Sequence, residues 1–436
     1  MNFKLNYKKI EEFILVLFII LSGFMMTAIF KLNNFFTFPS LDEMLWHSRS
    51  SIFWDKMLSL DFSGLIQSAQ PGITVYWFTG FMMKFVNFDF SDVSRRIAEK
   101  NALGMNFNDV MNVNDHAVYA TYETISFAFN TPLFLLLIIF YISFYYLLKK
   151  LGFNKIIAFF SLLFLTTNVF ITYWTTPSDK MLIIFMTLSF LTFLVYVSNR
   201  NKEKKYLLIS AVLGAWAVLS KLTALFILPF FVLISVYYLW PLNKEKIKFI
   251  IKDCFYWAII FIFVCVIFLP TIITNPSEVT ELIFKTKTIE GNHSANSYVS
   301  SLSEYLESFV PAICGSPGMP LALLAYFILR SKKKYKNIFT TLPKKHLQAI
   351  TTYIILFIIM IILLSKNRDA RFMFPVFILM NIIAATGLYG VIEIFKKKIN
   401  LPSSACFMVI IALIFSQFLA MILQGKLARM IIEKYF

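Results

Sequence analysis

Histidine, cysteine, glycine and charge are all in short supply in this 436-residue chain, and each shortage removes a class of chemistry. The four histidines, His47, His116, His293 and His346, are scattered without H-E-x-x-H or comparable spacing. A resident divalent metal is conceivable but has no motif behind it, so no cofactor is expected. Cys254, Cys265, Cys314 and Cys406 fall in or beside apolar runs without metal-ligand spacing, and read as small core residues rather than disulfide partners. The 13 glycines form neither G-x-G-x-x-G nor a Walker loop, which argues against a soluble domain that binds ATP or a nucleotide sugar. Charged residues make up only 15% of the chain against 58% hydrophobic, and mean hydropathy is +0.71. A water-soluble globular domain is excluded on that balance, and an integral, multi-pass membrane protein is expected.

What is present in quantity is long apolar runs separated by basic clusters. A hydrocarbon core of about 30 Å needs about 20 apolar residues per helix. Runs near that length lie at 12–31, 122–148, 155–173, 181–198, 206–220, 223–240, 254–273, 309–329, 347–364, 372–395 and 404–423. They predict an all-α fold of about eleven transmembrane helices in a single domain. The net charge of +17 is concentrated in short loops, such as Lys149-Lys150, Lys202 to Lys205, Lys244 to Lys252 and Lys396 to Lys398. That is the positive-inside pattern of cytoplasmic loops and does not point to nucleic acid. It places the amino terminus in the cytoplasm and leaves two long loops, 32–121 and 274–308, on the extracytoplasmic side. The apolar stretch 73–88 would invert every later basic cluster if it crossed. It is therefore expected to lie in the headgroup plane, with Tyr76 and Trp77 as anchors and Lys84 at the rim.

Polar residues capable of chemistry collect on the extracytoplasmic side. Asp42 and Glu43 follow the first span and precede Trp46, Phe53 and Trp54 at helical spacing, the pattern of a half-buried helix. The two acids are either a general base with its orienting neighbour or plain solvated loop acids. Arg368 and Arg371, three residues apart, would share a helix face and suit a phosphate, or else snorkel to headgroups. Asp179 is a further site carboxylate or a first-turn helix acid, and Lys221 in a short turn is a further cation.

With these residues in view, the chain resembles the GT-C class of membrane glycosyltransferases, in the branch of protein O-mannosyltransferases and lipid A aminoarabinose transferases. The resemblance is carried by Asp42-Glu43 after the first span, Gln70-Pro71-Gly72 before an aromatic segment, Asp179 opening a later span, Leu219-Ser220-Lys221-Leu222-Thr223, and Arg371-Phe372-Met373-Phe374-Pro375. It implies a polyprenyl-phosphate-linked sugar donor and a hydroxyl acceptor on protein, lipid or glycan. It implies Asp42 as catalytic base with Glu43 beside it, and Arg371, to which Arg368 is added here, holding the carrier phosphate. The chain departs from the family at Gln70, where a cation is usual, which shifts phosphate binding to Lys221, Arg368 and Arg371. The expected setting is a bacterial plasma membrane with the active site extracytoplasmic. A transporter or flippase of lipid-linked saccharides would share the composition and is the alternative.

Overall fold

The computed structural model describes residues 10–22, 41–66, 72–84, 116–168, 177–199, 203–281, 316, 318–364 and 373–399. Among them every regular element is helical and no strand occurs. In chain order these are α1 (10–22), α2 (Leu41–Leu58), α3 (Ile73–Val75), a π-helical turn (Tyr76–Gly80), α4 (Phe81–Met83), α5 (His116–Lys150), α6 (Lys155–Thr166) and α7 (Pro177–Ser198). There follow α8 (Lys205–Ser220), a 3-10 turn (Leu222–Phe226), α9 (Ile227–Leu239), α10 (Lys244–Phe268), α11 (Thr271–Thr274), α12 (Met319–Ser331), a 3-10 turn (Lys333–Phe339), α13 (Lys344–Leu364) and α14 (Phe374–Ile399).

Among the described residues, six segments are long and apolar enough to cross a bilayer: Ala128–Lys150, Pro177–Ser198, Leu222–Leu239, Lys244–Phe268, Lys344–Ile361 and Pro375–Lys397. The count of eleven read from the sequence is thus matched only in part. Lys155–Thr166, Lys205–Ser220 and Met319–Ser331 are apolar but shorter than a span requires. The run 404–423 lies outside the described residues, as does much of 12–31. One boundary is corrected outright. The basic stretch Lys244 to Lys252, read as a loop, forms the first turns of α10, where Asn243 caps the helix by accepting from the Lys246 N–H at 2.9 Å. Lysine is a good helix former, so a capped run with no breaker continues into the following apolar segment.

α7 is almost wholly buried and forms the axis of the bundle, whereas α10 presents most of its surface outward. α7 and α8 are stitched by a reciprocal pair of hydroxyls: Ser189 donates to the Ser210 carbonyl at 2.7 Å and Ser210 to the Ser189 carbonyl at 3.0 Å. Small residues set the other close approaches. A Cβ at Gly387 of α14 would lie 2.0 Å from the Ala322 carbonyl of α12, and one at Gly214 of α8 would lie 2.7 Å from the Trp257 ring of α10. Close backbone approach through glycine is how apolar helices pack where lipid provides no hydrophobic drive.

Polar contacts sort the loops into two ends. At one, Glu12 pairs with Lys149 and, at 2.6 Å, with Lys155, and accepts from the Tyr145 hydroxyl at 2.8 Å. Lys150 pairs with Glu203 at 2.7 Å, and Tyr196 donates to Asp253 at 2.6 Å. At the far end of α10, Glu278 accepts from the Gly64 and Ile66 N–H groups at 3.1 and 3.4 Å, and the Thr271 hydroxyl donates to the Phe62 carbonyl at 2.9 Å. The two stretches read as long loops therefore touch each other, and the basic clusters lie at the opposite end.

Candidate functional site

α2 forms because Trp46, Ser50 and Phe53 recur at helical spacing and bury one face against the π-helical turn. The turn is fixed to that face by polar bonds. The Thr79 hydroxyl spends its proton on the Val75 carbonyl at 2.7 Å, so the Ser50 hydroxyl must be the donor in the 3.2 Å Ser50–Thr79 bond. Trp54 donates its indole N–H to the Tyr76 carbonyl at 2.8 Å. Gly80 fits because a Cβ there would meet the Ser50 carbonyl at 2.5 Å and Trp54 at 2.4 Å. Tyr76 is fully buried between Trp46 and Phe53, with ring centroids 5.6 and 5.5 Å away. It is not the headgroup anchor the sequence suggested, because α2 covers it. Trp77 is likewise tied inward, to the Phe268 carbonyl at 2.8 Å, and Lys84 pairs with Asp55.

Gly72 joins this assembly to the bundle. Its φ of +57° lies in the left-handed region, and a Cβ would stand 2.2 Å from the Trp46 ring. Its N–H donates to the Ser220 carbonyl at 3.2 Å. Ser220 gives its hydroxyl proton to the Trp216 carbonyl at 2.7 Å, so Thr74 is the donor in the 2.6 Å Thr74–Ser220 bond. Replacing Gly72 with Ala combines left-handed strain with a clash against Trp46, and is expected to cost about 1–3 kcal/mol locally. Protease cleavage within α2 should rise in that variant while α7 and α8 stay protected; equal protection of α2 would show that Gly72 is not its anchor.

Immediately after Ser220 the helix breaks. Lys221 is extended, with φ −159° and ψ 131°, and this aims its side chain at α7, where its ammonium lies 2.9 Å from Asp179. Both side chains are buried, at 5% and 1% exposure. Asp179 also sits in the first turn of α7, so the helix-acid reading and the site reading describe the same residue. A buried pair of this kind is a weak source of net stability, since desolvation offsets much of its attraction.

Of the residues singled out by sequence, the structure joins Asp179 to Lys221 and hangs the α2 assembly on the neighbouring Ser220. Asp42 and Glu43 occupy the first turn of α2, one helical turn before Trp46; their backbone alone is described. Gln70, Arg368 and Arg371 lie outside the described residues. Among the described residues no group of three or more His, Cys, Asp or Glu side chains converges as a metal site would require. One structural participant was missed: Ser220 as a latch leaves no sequence signal beyond its place beside Lys221.

Residues 109–279 match the family model for dolichyl-phosphate-mannose-protein mannosyltransferases. That stretch runs from just before α5 to Val279 and contains both Asp179 and Lys221, whereas α2 precedes it and Arg368 and Arg371 follow it. The match agrees with the resemblance to polyprenyl-phosphate-dependent membrane glycosyltransferases drawn from the motifs. Neither a curated protein nor a solved structure matches the chain significantly.

Proposed function

We propose that this protein is an integral membrane glycosyltransferase that moves a sugar from a polyprenyl-phosphate carrier to an acceptor hydroxyl on the extracytoplasmic side. The observation that carries the reading is the seating of α2, with Asp42 in its first turn, on the π-helical turn, whose leading Gly72 bonds Ser220 next to the Lys221–Asp179 pair. An acid in the loop assembly and a cation in the bundle are thereby fixed to one scaffold, as a transfer between a water-borne alcohol and a lipid phosphate demands. The family likeness over 109–279 supports the same chemistry.

In this mechanism Asp42 takes the proton of the acceptor hydroxyl as its oxygen attacks the anomeric carbon, with Glu43 beside it. The bond from that carbon to the carrier phosphate breaks with its electron pair on the phosphate oxygen. Lys221, Arg368 and Arg371 receive the developing charge, while Asp179 holds the ammonium of Lys221 in place and Gln70 contributes to substrate binding. Single displacement inverts the anomeric centre. The leaving phosphate is a stable anion, so one base and fixed cations suffice and no general acid is needed.

The test is a cell-free assay with purified protein and polyprenyl-phosphate sugars. A new glycosidic bond of inverted configuration is expected, dependent on the lipid-linked donor. Movement of lipid-linked sugar across a vesicle bilayer without any new bond would sink the proposal in favour of a transporter.

A further inference from the structure

Helix α10 has a face that glycosyl transfer leaves unused. Its buried positions Ile250, Trp257 and Val264 recur every seven residues and pack it on the bundle. Lys248 and Lys252 stand two residues either side of Ile250, which sends both about 160° around the helix from it, and Lys244 lies about 120° away. All three lysines are exposed. They share that outward face with Ile251, Phe255, Ile259 and Ile262, which are exposed as well. The fourth lysine of the stretch, Lys246, turns the other way and donates to the Pro241 carbonyl at 2.7 Å. That bond folds the connection from α9 onto the first turns of α10, and with it the exposed Trp240.

Helix length sets the depth of this face. The 25 residues of α10 rise about 37 Å, about 7 Å more than a hydrocarbon core requires. The far end is held at Phe268, whose carbonyl accepts from Trp77 at 2.8 Å, and counting about 20 residues back puts the near boundary around Lys248. Lys244 and Lys248 then meet the headgroup layer, and Lys252 lies about 6 Å inside the hydrocarbon edge. The Tyr256 ring, 5.8 Å from the Lys252 ammonium, gives it partial cation–π support. Its aliphatic stem can lie along Ile251 and Phe255 while the charge reaches the phosphates. Trp240 is the kind of aromatic that settles at that level.

Charge selects the partner. Between positions 244 and 252 the chain carries four lysines against one acid, Glu245, which occupies the first turn, where an acid suits the helix dipole. The next acid, Asp253, accepts from Tyr196 of α7 at 2.6 Å. A soluble polyanion would meet Lys244 but would leave Phe255, Ile259 and Ile262 uncovered. A phospholipid supplies both complements, acyl chains for the apolar side chains and a phosphate for the lysines beside them. We propose that Lys244, Lys248 and Lys252, with Trp240, form a binding site for the headgroup of an anionic bilayer phospholipid on the outer face of α10. The site is independent of the glycosyl-transfer reading.

The experiment titrates the full-length protein in neutral detergent with phosphatidylglycerol or phosphatidylcholine of the same acyl chains and counts bound lipid by native mass spectrometry. Wild type should favour phosphatidylglycerol by on the order of tenfold to a hundredfold. The triple variant Lys244→Gln, Lys248→Gln, Lys252→Gln should bring the two lipids to within about twofold of each other, with phosphatidylcholine binding unchanged. Lys248→Gln alone should lose about fivefold and serves if the triple variant does not fold. A second triple variant, Lys332→Gln, Lys333→Gln, Lys334→Gln, removes the same charge from another connection and should keep the wild-type preference. Equal losses in the two triple variants would reduce the effect to net charge and overturn the site, as would a wild type that does not discriminate between the lipids. Displacement of phosphatidylglycerol by millimolar inorganic phosphate would overturn the lipid assignment in favour of a free-phosphate site.

Discussion

Changing Asp42 to Asn should lower glycosyl transfer by about a hundredfold to ten-thousandfold, the usual worth of a general base, while donor affinity stays within about twofold of wild type. The substitution is nearly isosteric and lies in the first turn of α2, where Asn is as acceptable as Asp. Helix α2 should therefore remain seated through its Trp46, Ser50 and Phe53 face. The readout is single-turnover rate against lipid binding in the same preparation. Glu43→Gln supplies the control. A larger loss there than at Asp42 would move the base one residue along the helix, and unchanged rates in both variants would remove the carboxylate chemistry altogether.

Lys221→Met should be the most damaging single change to the bundle. The Asp179 carboxylate, at 1% exposure, would lose the ammonium 2.9 Å away. Removing one partner of a buried ion pair costs about 3–5 kcal/mol. Removing both charges is another matter, because apolar side chains of similar volume often fill such a site at no net cost. The double variant Asp179→Leu with Lys221→Met should accordingly recover most of the melting temperature lost by either single variant. Transfer should stay well below wild type in it, since Lys221 no longer meets the departing phosphate and only Arg368 and Arg371 are left to receive its charge. A double variant that regains both stability and turnover would reduce the pair to a structural element and leave Arg368 and Arg371 to carry the phosphate.

The broad outline was readable because a bilayer enforces it. Apolar runs had to become helices, and basic loops had to gather at one end, as Lys149 and Lys155 do around Glu12. Boundaries were less legible where helix-forming lysines let a span begin in what looked like a loop, as at Lys244. Within the candidate site, Asp179 and Lys221 were each visible as polar residues flanking apolar runs. Their union was not, because it depends on Lys221 adopting an extended backbone between two helices 42 residues after its partner. Tyr76 was misjudged because an aromatic at an interface and an aromatic under a covering helix have the same sequence signature.

The wide turn at Tyr76–Gly80 has a consequence for how this region tolerates changes in length. A π-helical turn holds one residue more than an α-helical turn over the same rise. Here that surplus residue lets Tyr76, Thr79 and Gly80 all meet α2. Deleting any single residue between positions 76 and 80 would restore regular winding and swing Thr79 or Gly80 by about 100° around the axis. Ser50 or Trp54 would then face the wrong neighbour. Insertions and deletions among natural variants of this chain should therefore accumulate in the long connections and spare these five positions, even though several side chains there could be exchanged.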